Sequence, residues 1–258
     1  LFLAGLIPGI LEAVFYMITI FILCKRDPMM GPRAPTTSLK EKVAVLKTSY
    51  GVLILFILVM GGIYLGVFTP TEAAGVGAFG ALIFALGKRN LSWKNFINSL
   101  IDASKTTAMT FLILIGAMIF GYFLAISQLP SESASFIAAL AVNRYIILGV
   151  ILILYIILGC VIPSLPLILL TVPIIFPMIS AIGFNPIWFG IMIVRVVEIG
   201  QITPPIGINV FVIKGVAKDV PIYTIFRGII PFLIADFCHV ALLIAVPQIA
   251  LFLPSVMK

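Results

Sequence analysis

The chain has 258 residues, of which 62% are hydrophobic and 10% charged, and its net charge is +7. Soluble globular domains are about half apolar, so this composition excludes a water-soluble fold and points to a polytopic protein in a lipid bilayer. The basic residues gather in short loops between apolar runs, the positive-inside pattern of membrane topology, and give no ground for a nucleic-acid partner.

Residues 1 to 23 read as one apolar helix. It has neither a basic leader nor a small-residue cleavage site, so it is not a signal peptide, and further sequence is expected upstream. CKRDPMMGPRAPTTSLKEKVAVLK follows, with Lys25, Arg26, Arg33, Lys40, Lys42 and Lys47 marking a cytoplasmic loop that its prolines and glycine keep from forming a long helix. Residues 49 to 66 cross outward, VFTPTEAAG turns, and 72 to 87 return to the basic KRN. Pro70, Thr69 and Thr71 suit a helix start, and Glu72 in its first turn favours the helix dipole. Glu72 thus reads as a capping residue, with an ion or gating role as the alternative.

LSWKNFINSLIDASK, 91 to 105, carries apolar residues at roughly helical spacing and predicts an amphipathic helix lying in the interface. Residues 106 to 127 cross outward, QLPSES is an outer loop, and SFIAALAV is too short to span. Then 145 to 160 and 165 to 179 flank the interruption CVIPSLP. Each arm is about 23 Å long at 1.5 Å per residue, short of the roughly 30 Å hydrocarbon core. That predicts a re-entrant hairpin. Two half-helices, 187 to 199 and 208 to 217, flank GQITPPIGIN; KGVAKDVPIYTIFR returns to the basic side, and 228 to 250 cross outward last.

Two helices repeat. GLIPGILEAVFYMITIFIL near the start and GIIPFLIADFCHVALLIAV near the end share Gly, two aliphatics and Pro, followed by Glu12 or Asp236. They run in opposite directions, the mark of an inverted repeat. On this reading 1 to 23 closes one repeat, 43 to 250 is the second, and the first lies upstream.

The interruptions carry the chemistry. Pro204 and Pro205 lack an N–H and break the helix, and Gly200 and Gly207 permit unusual backbone. Unwound backbone at membrane depth survives only inside protein or beside a watery cavity. Its carbonyls, the Thr203 hydroxyl and the Asn209 amide are hard oxygen ligands suited to a small cation such as Na⁺. The N-terminus of the second half-helix suits a carboxylate. The hairpin tip offers a matching set in Pro163, Ser164, Pro166 and Thr171. Arg195 and Glu198 stand three apart and can pair, or Arg195 can receive an anionic substrate. Asp236 and His239 have the same spacing and read as a structural pair or a proton relay. Cys24, Cys160 and Cys238 show no metal or redox spacing, and no catalytic constellation is present, so the chain reads as no enzyme and needs no cofactor beyond Na⁺ as coupling ion.

FTPTEAAGVGAFGAL (68 to 82) and EIGQITPPIGINVFVIKGVA (198 to 217) resemble the signature stretches in the second half of TRAP (tripartite ATP-independent periplasmic) transporter large permease subunits. LFLAGLIPG resembles the segment joining that family's halves, and LGCVIPSLPLILLTVPIIFP its second hairpin. The resemblance implies an all-α polytopic membrane protein with an inverted-repeat ion-transporter fold. It also implies a small membrane subunit and a periplasmic substrate-binding protein as partners, a bacterial inner-membrane location, and sodium-driven elevator import of a small organic acid anion, dicarboxylate or sialic-acid-like. By motif position Ser164, Thr203, Pro204 and Gly207 would belong to the second repeat's sodium site, with Arg195 and Asn209 assigned to substrate and Glu72 and Glu198 to gating or structure. The chain departs from the family near the hairpin tip, where many members carry an acidic residue and this one has Ile162, Pro163 and Ser164.

The expected organisation is therefore 1–24 closing the first repeat, 25–47 a cytoplasmic loop, and 48–105 scaffold helices and arm. Transport-domain elements follow over 106–217 (hairpin 145–179, broken helix 187–217), and 218–258 closes the second repeat. The alternatives are an inverted-repeat carrier without a binding protein and a non-transporting membrane subunit.

Overall fold

The computed structural model describes residues 2–31, 39–88, 91–139 and 142–256. Among these residues the chain is helical, without strands. The order is α1 (Phe2–Arg26), α2 (Leu39–Tyr64), α3 (Pro70–Gly87), α4 (Trp93–Ser127), α5 (Leu129–Ala139), α6 (Arg144–Gly159), α7 (Ser164–Ala181), α8 (Pro186–Ile202), α9 (Ile208–Val216), α10 (Ile222–Ala245) and α11 (Gln248–Val256). Five of them, α1, α3, α4, α7 and α10, are long and apolar enough to cross a membrane. The chain divides into two compact units, Pro32–Met109 and Leu1–Gly31 with Thr110–Lys258.

In the smaller unit α2 packs against α3. Small residues allow it: a side chain at Gly77 would stand 3.2 Å from Val59, and Tyr50 meets Phe84 edge-on at 5.8 Å. Thr69 begins α3 with a full capping box. Glu72 Oε2 accepts from the Thr69 amide and hydroxyl, each at 2.8 Å, while the Thr69 hydroxyl oxygen accepts from the Glu72 amide at 3.3 Å. Glu72 is therefore the capping residue that its place after Pro70 suggests.

Three boundaries differ from expectation. Arg33 and most of the proline-rich stretch lie outside the described residues, but α2 is helical from Leu39, so Lys40, Lys42 and Lys47 sit on a helix; past Pro35 the sequence contains no breaker until Gly51. The interfacial helix and the following span are one continuous α4 of 35 residues, about 50 Å long, because no proline or glycine separates Trp93 from Gly116. And 129–139, expected as loop and short segment, forms α5 and packs against α7.

The larger unit is built around α8. Ten of its residues, among them Trp188, Met192, Val196 and Val197, are buried, so the helix is apolar on nearly every side. Asn185 caps its start by accepting from the Ile187 and Trp188 amides. The hairpin arms α6 and α7 cover one side of it through Leu148, Leu152, Tyr155 and Ile179. Helices α1, α10 and α11 also pack on it, and the Trp188 indole N–H donates to the Leu243 carbonyl at 2.9 Å. Helices α1 and α10 contact each other directly, with Tyr16 against Phe232 at 5.6 Å. Cys24, Cys160 and Cys238 are unpaired, and only Cys160 is buried.

The capping box makes a local prediction. Thr69→Ala removes the cap and should lower stability by about 1 kcal/mol, read as a lower melting temperature, whereas Thr69→Ser should retain most of it.

Candidate functional site

The two predicted interruptions are real and lie side by side. Helix α6 ends at Gly159, and the chain reverses over Cys160–Pro163, where the Cys160 amide donates to Ile156 O (3.1 Å) and the Ile162 amide to Leu158 O (2.8 Å). Ser164 then opens α7, behind Pro163, with no side-chain cap. Helix α8 stops at Ile202: the Thr203 amide turns back to Gly200 O at 3.0 Å and its hydroxyl donates to Ile199 O at 2.6 Å. Pro204 and Pro205 offer no donor, and Gly207 adopts φ 60°, a left-handed conformation that glycine tolerates best. Helix α9 starts there, again without a side-chain cap.

What brings the two together is a glycine-on-glycine crossing. A Cβ at Gly159 would lie 3.1 Å from Val197 O, and one at Gly200 would lie 2.7 Å from Ile156 O and 2.9 Å from Gly159 Cα. Backbones this close need the absence of side chains, as between packed membrane helices. The crossing sits one residue before the hairpin turn and three before Thr203. Two helix N-termini, α7 and α9, follow the two interruptions and leave first-turn amides without a side-chain cap. Such amides and the helix dipole favour an anion, and the carbonyls of the break favour a hard cation.

A second polar cluster lies further back along α8. Arg195 is 6% exposed, and three carboxylates surround it. Its NH1 stands 2.7 Å from both Glu12 Oε1 and Glu198 Oε2, and its NH2 donates to Asp236 Oδ1 at 2.8 Å. The Tyr16 hydroxyl donates to the same Asp236 oxygen at 2.7 Å. Glu12 and Tyr16 come from α1, Asp236 from α10 and Arg195 from α8, so this cluster ties three helices together.

Comparison with known proteins agrees with this architecture. The family model described as "Tripartite ATP-independent periplasmic transporter, DctM component" matches residues 1–249. The chain belongs to that family. It is 37% identical over 256 residues to the sialic acid TRAP transporter large permease protein SiaM of Vibrio cholerae, a match covering 99% of this chain and 59% of the relative. It is 33% identical to the C4-dicarboxylate TRAP transporter large permease protein DctM of Pseudomonas aeruginosa, with the same coverage, and 32% identical to the isethionate TRAP transporter permease protein DctMQ of Oleidesulfovibrio alaskensis, 39% of which is covered. The chain thus spans somewhat over half the length of the large-permease relatives. Membership in a family of transporter components, rather than enzymes, together with five candidate spans makes it a multi-pass inner-membrane protein.

Among the residues singled out from sequence, Thr203 and Ser164 are half-buried at the two interruptions, Gly207 is buried, and Pro204 is exposed. Asn209 is exposed on the first turn of α9, and its Nδ2 donates to Gln201 Oε1 at 3.3 Å, bridging the break. Thr171 stands two turns into α7, where its hydroxyl meets the Tyr155 hydroxyl at 2.7 Å; it pins the hairpin arms rather than belonging to the tip. Arg195 and Glu198 do pair. Asp236 does not pair with His239, because Arg195 and Tyr16 take its carboxylate; His239 is fully buried beside Phe15. The Glu12 partnership was not anticipated, although the repeat that aligns Glu12 with Asp236 was its signal. Nothing in the sequence pointed to Tyr16 or to the pairing of Gly159 with Gly200.

The crossing is directly testable. Gly200→Ala forces its methyl into the α6 backbone and should cost about 1–3 kcal/mol, read as a fall in melting temperature of the purified protein. Gly149→Ala, also on α6 but with open space around it, should leave that temperature unchanged or raise it.

Proposed function

We propose that this chain is the C-terminal part of the large permease subunit of a sodium-coupled, binding-protein-dependent TRAP transporter that imports a small organic acid anion. The observation that carries the reading is the apposition of an uncapped hairpin tip and an uncapped, carbonyl-rich break, held by Gly159 and Gly200. One side of such a site suits a cation and the other a carboxylate. The relatives are named for sialic acid, C4-dicarboxylates and isethionate, which share an organic anion as their common chemistry.

Ser164, Thr203, Pro204 and Gly207 are the proposed sodium residues. The Thr203 hydroxyl donates its hydrogen to Ile199 O, which leaves its oxygen lone pairs free for a cation. Asn209, at the start of α9, is the proposed substrate contact. Arg195 stands eight residues before Thr203, about 12 Å along the helix, and three carboxylates already engage it, so its proposed role is structural, with Glu198 as its partner. The hairpin is proposed to be re-entrant. The proposed import motion is that of an elevator. A small membrane subunit and a periplasmic binding protein are the proposed partners.

The test is thermal melting of the intact permease in detergent with NaCl, KCl or choline chloride at matched ionic strength. A specific site stabilises by about 2.7 kcal/mol at a hundredfold excess of ion over its dissociation constant. We expect a rise in melting temperature with Na⁺ alone that Thr203→Ala weakens. Identical curves in the three salts would contradict the sodium site.

A further inference from the structure

We propose that Arg195 is a positioning residue: by fixing the rotation of α8 about its own axis, it sets Gly200 on Gly159 and aims the 203–207 break at the hairpin tip. The inference concerns geometry and stands whether or not sodium is the coupling ion.

The apolar side chains of α8 are buried on most faces. Hydrophobic burial is non-directional, so it sets only coarsely the rotation of a helix whose buried side chains cover most of its circumference and leave Ile187, Val194 and Glu198 exposed on the remaining face. Something directional must choose. The crossing with α6 limits the rotation, since only glycine fits there, but two glycines remove a clash without creating an attraction; the Trp188 indole bond to Leu243 O is one directional tie, near the start of the helix.

The charges are directional and stand on the other side. At 3.6 residues per turn, Val197 and Gly200, which meet Gly159, lie roughly 200° and 140° around the helix from Arg195. Their common face is therefore almost diametrically opposite the guanidinium. Arg195 fastens that opposite face to two separate helices, to Glu12 on α1 at 2.7 Å and to Asp236 on α10 at 2.8 Å. The planar fork demands a fixed approach. The Tyr16 hydroxyl, donating to Asp236 Oδ1, holds the carboxylate that receives it. Rotating α8 by one residue would carry the guanidinium away from both partners and leave charges unpaired in an apolar interior, where each is costly. The same rotation would replace Gly200 at the crossing by Ile199 or Gln201.

A cluster that merely held the protein together could be exchanged for apolar side chains of similar volume, a change that is often neutral or stabilising for buried ion pairs. A positioning cluster could not. The experiment measures the distance between spin labels at Val161→Cys, on the hairpin tip, and Ile206→Cys, in the break. It uses the intact permease in lipid with Cys24, Cys160 and Cys238 replaced by alanine. The parent should give one narrow distance distribution. Glu12→Leu, Arg195→Met and Asp236→Leu together should keep the protein folded, as judged by melting, yet broaden or split that distribution. Arg195→Lys, which keeps the charge and loses the fork, should broaden it to a smaller extent. A distribution as narrow as the parent's in the folded triple variant would overturn the proposal. If that variant does not fold, the same unchanged distribution in Arg195→Lys would overturn it.

Discussion

Arg195 extends from the middle of a helix that is buried over most of its circumference, and it must find its counter-charges inside the protein. Isolated, a guanidinium there would be prohibitively expensive. Here three carboxylates from three helices answer it. The constraint runs outward from that point. It fixes α8 against α1 and α10, and α8 carries both the glycine that meets the hairpin and the break that follows. Such a cluster is weak evidence for net stability, since desolvation offsets much of the Coulombic gain. What it supplies is a single permitted arrangement.

The opposite face of α8 works by absence. Gly159 and Gly200 let two backbones approach to a distance that any side chain would forbid. That approach brings the Cys160–Pro163 reversal beside the Thr203–Gly207 break. Both interruptions are followed by helices whose first turns have no side-chain cap, α7 behind Pro163 and α9 behind Gly207. In a soluble protein an Asp or Ser would commonly stand at such positions. Here neither helix start carries such a side chain.

Much of this is legible in the residues, for identifiable reasons. Prolines and glycines in apolar runs announce breaks, so Pro163, Pro204, Pro205 and Gly207 placed the hairpin and the broken helix. Pro70 with Thr69 and Glu72 announced a capped helix start. Where the sequence lacked punctuation, boundaries were misjudged: nothing separates the polar half of α4 from its apolar half, and the backbone does not change course there. Partnerships across the fold were harder. The i, i+3 rule paired Asp236 with His239, yet tertiary packing delivered Arg195 and Tyr16 to that carboxylate instead. Arg195 read as a partner of Glu198 or an anion receptor, because its other partners, Glu12 and Asp236, are 183 and 41 residues away. The sequence similarity between α1 and α10 held the missing information, since it aligned Glu12 with Asp236, and both carboxylates reach Arg195.

The central claim is that Arg195 neutralises carboxylates from neighbouring helices, and the reversal of a single substitution's sign tests it most directly. Thermal unfolding would compare Asp236→Asn in the parent with Asp236→Asn in an Arg195→Gln background. Arg195→Gln alone should cost about 3–5 kcal/mol, the scale for breaking a buried pair. In the parent, Asp236→Asn should be destabilising, because it removes a partner of Arg195. With Arg195 gone it should become neutral or stabilising, because it removes an unpaired buried charge. An equal cost for Asp236→Asn in both backgrounds would mean that the two residues are not coupled, and it would contradict the account.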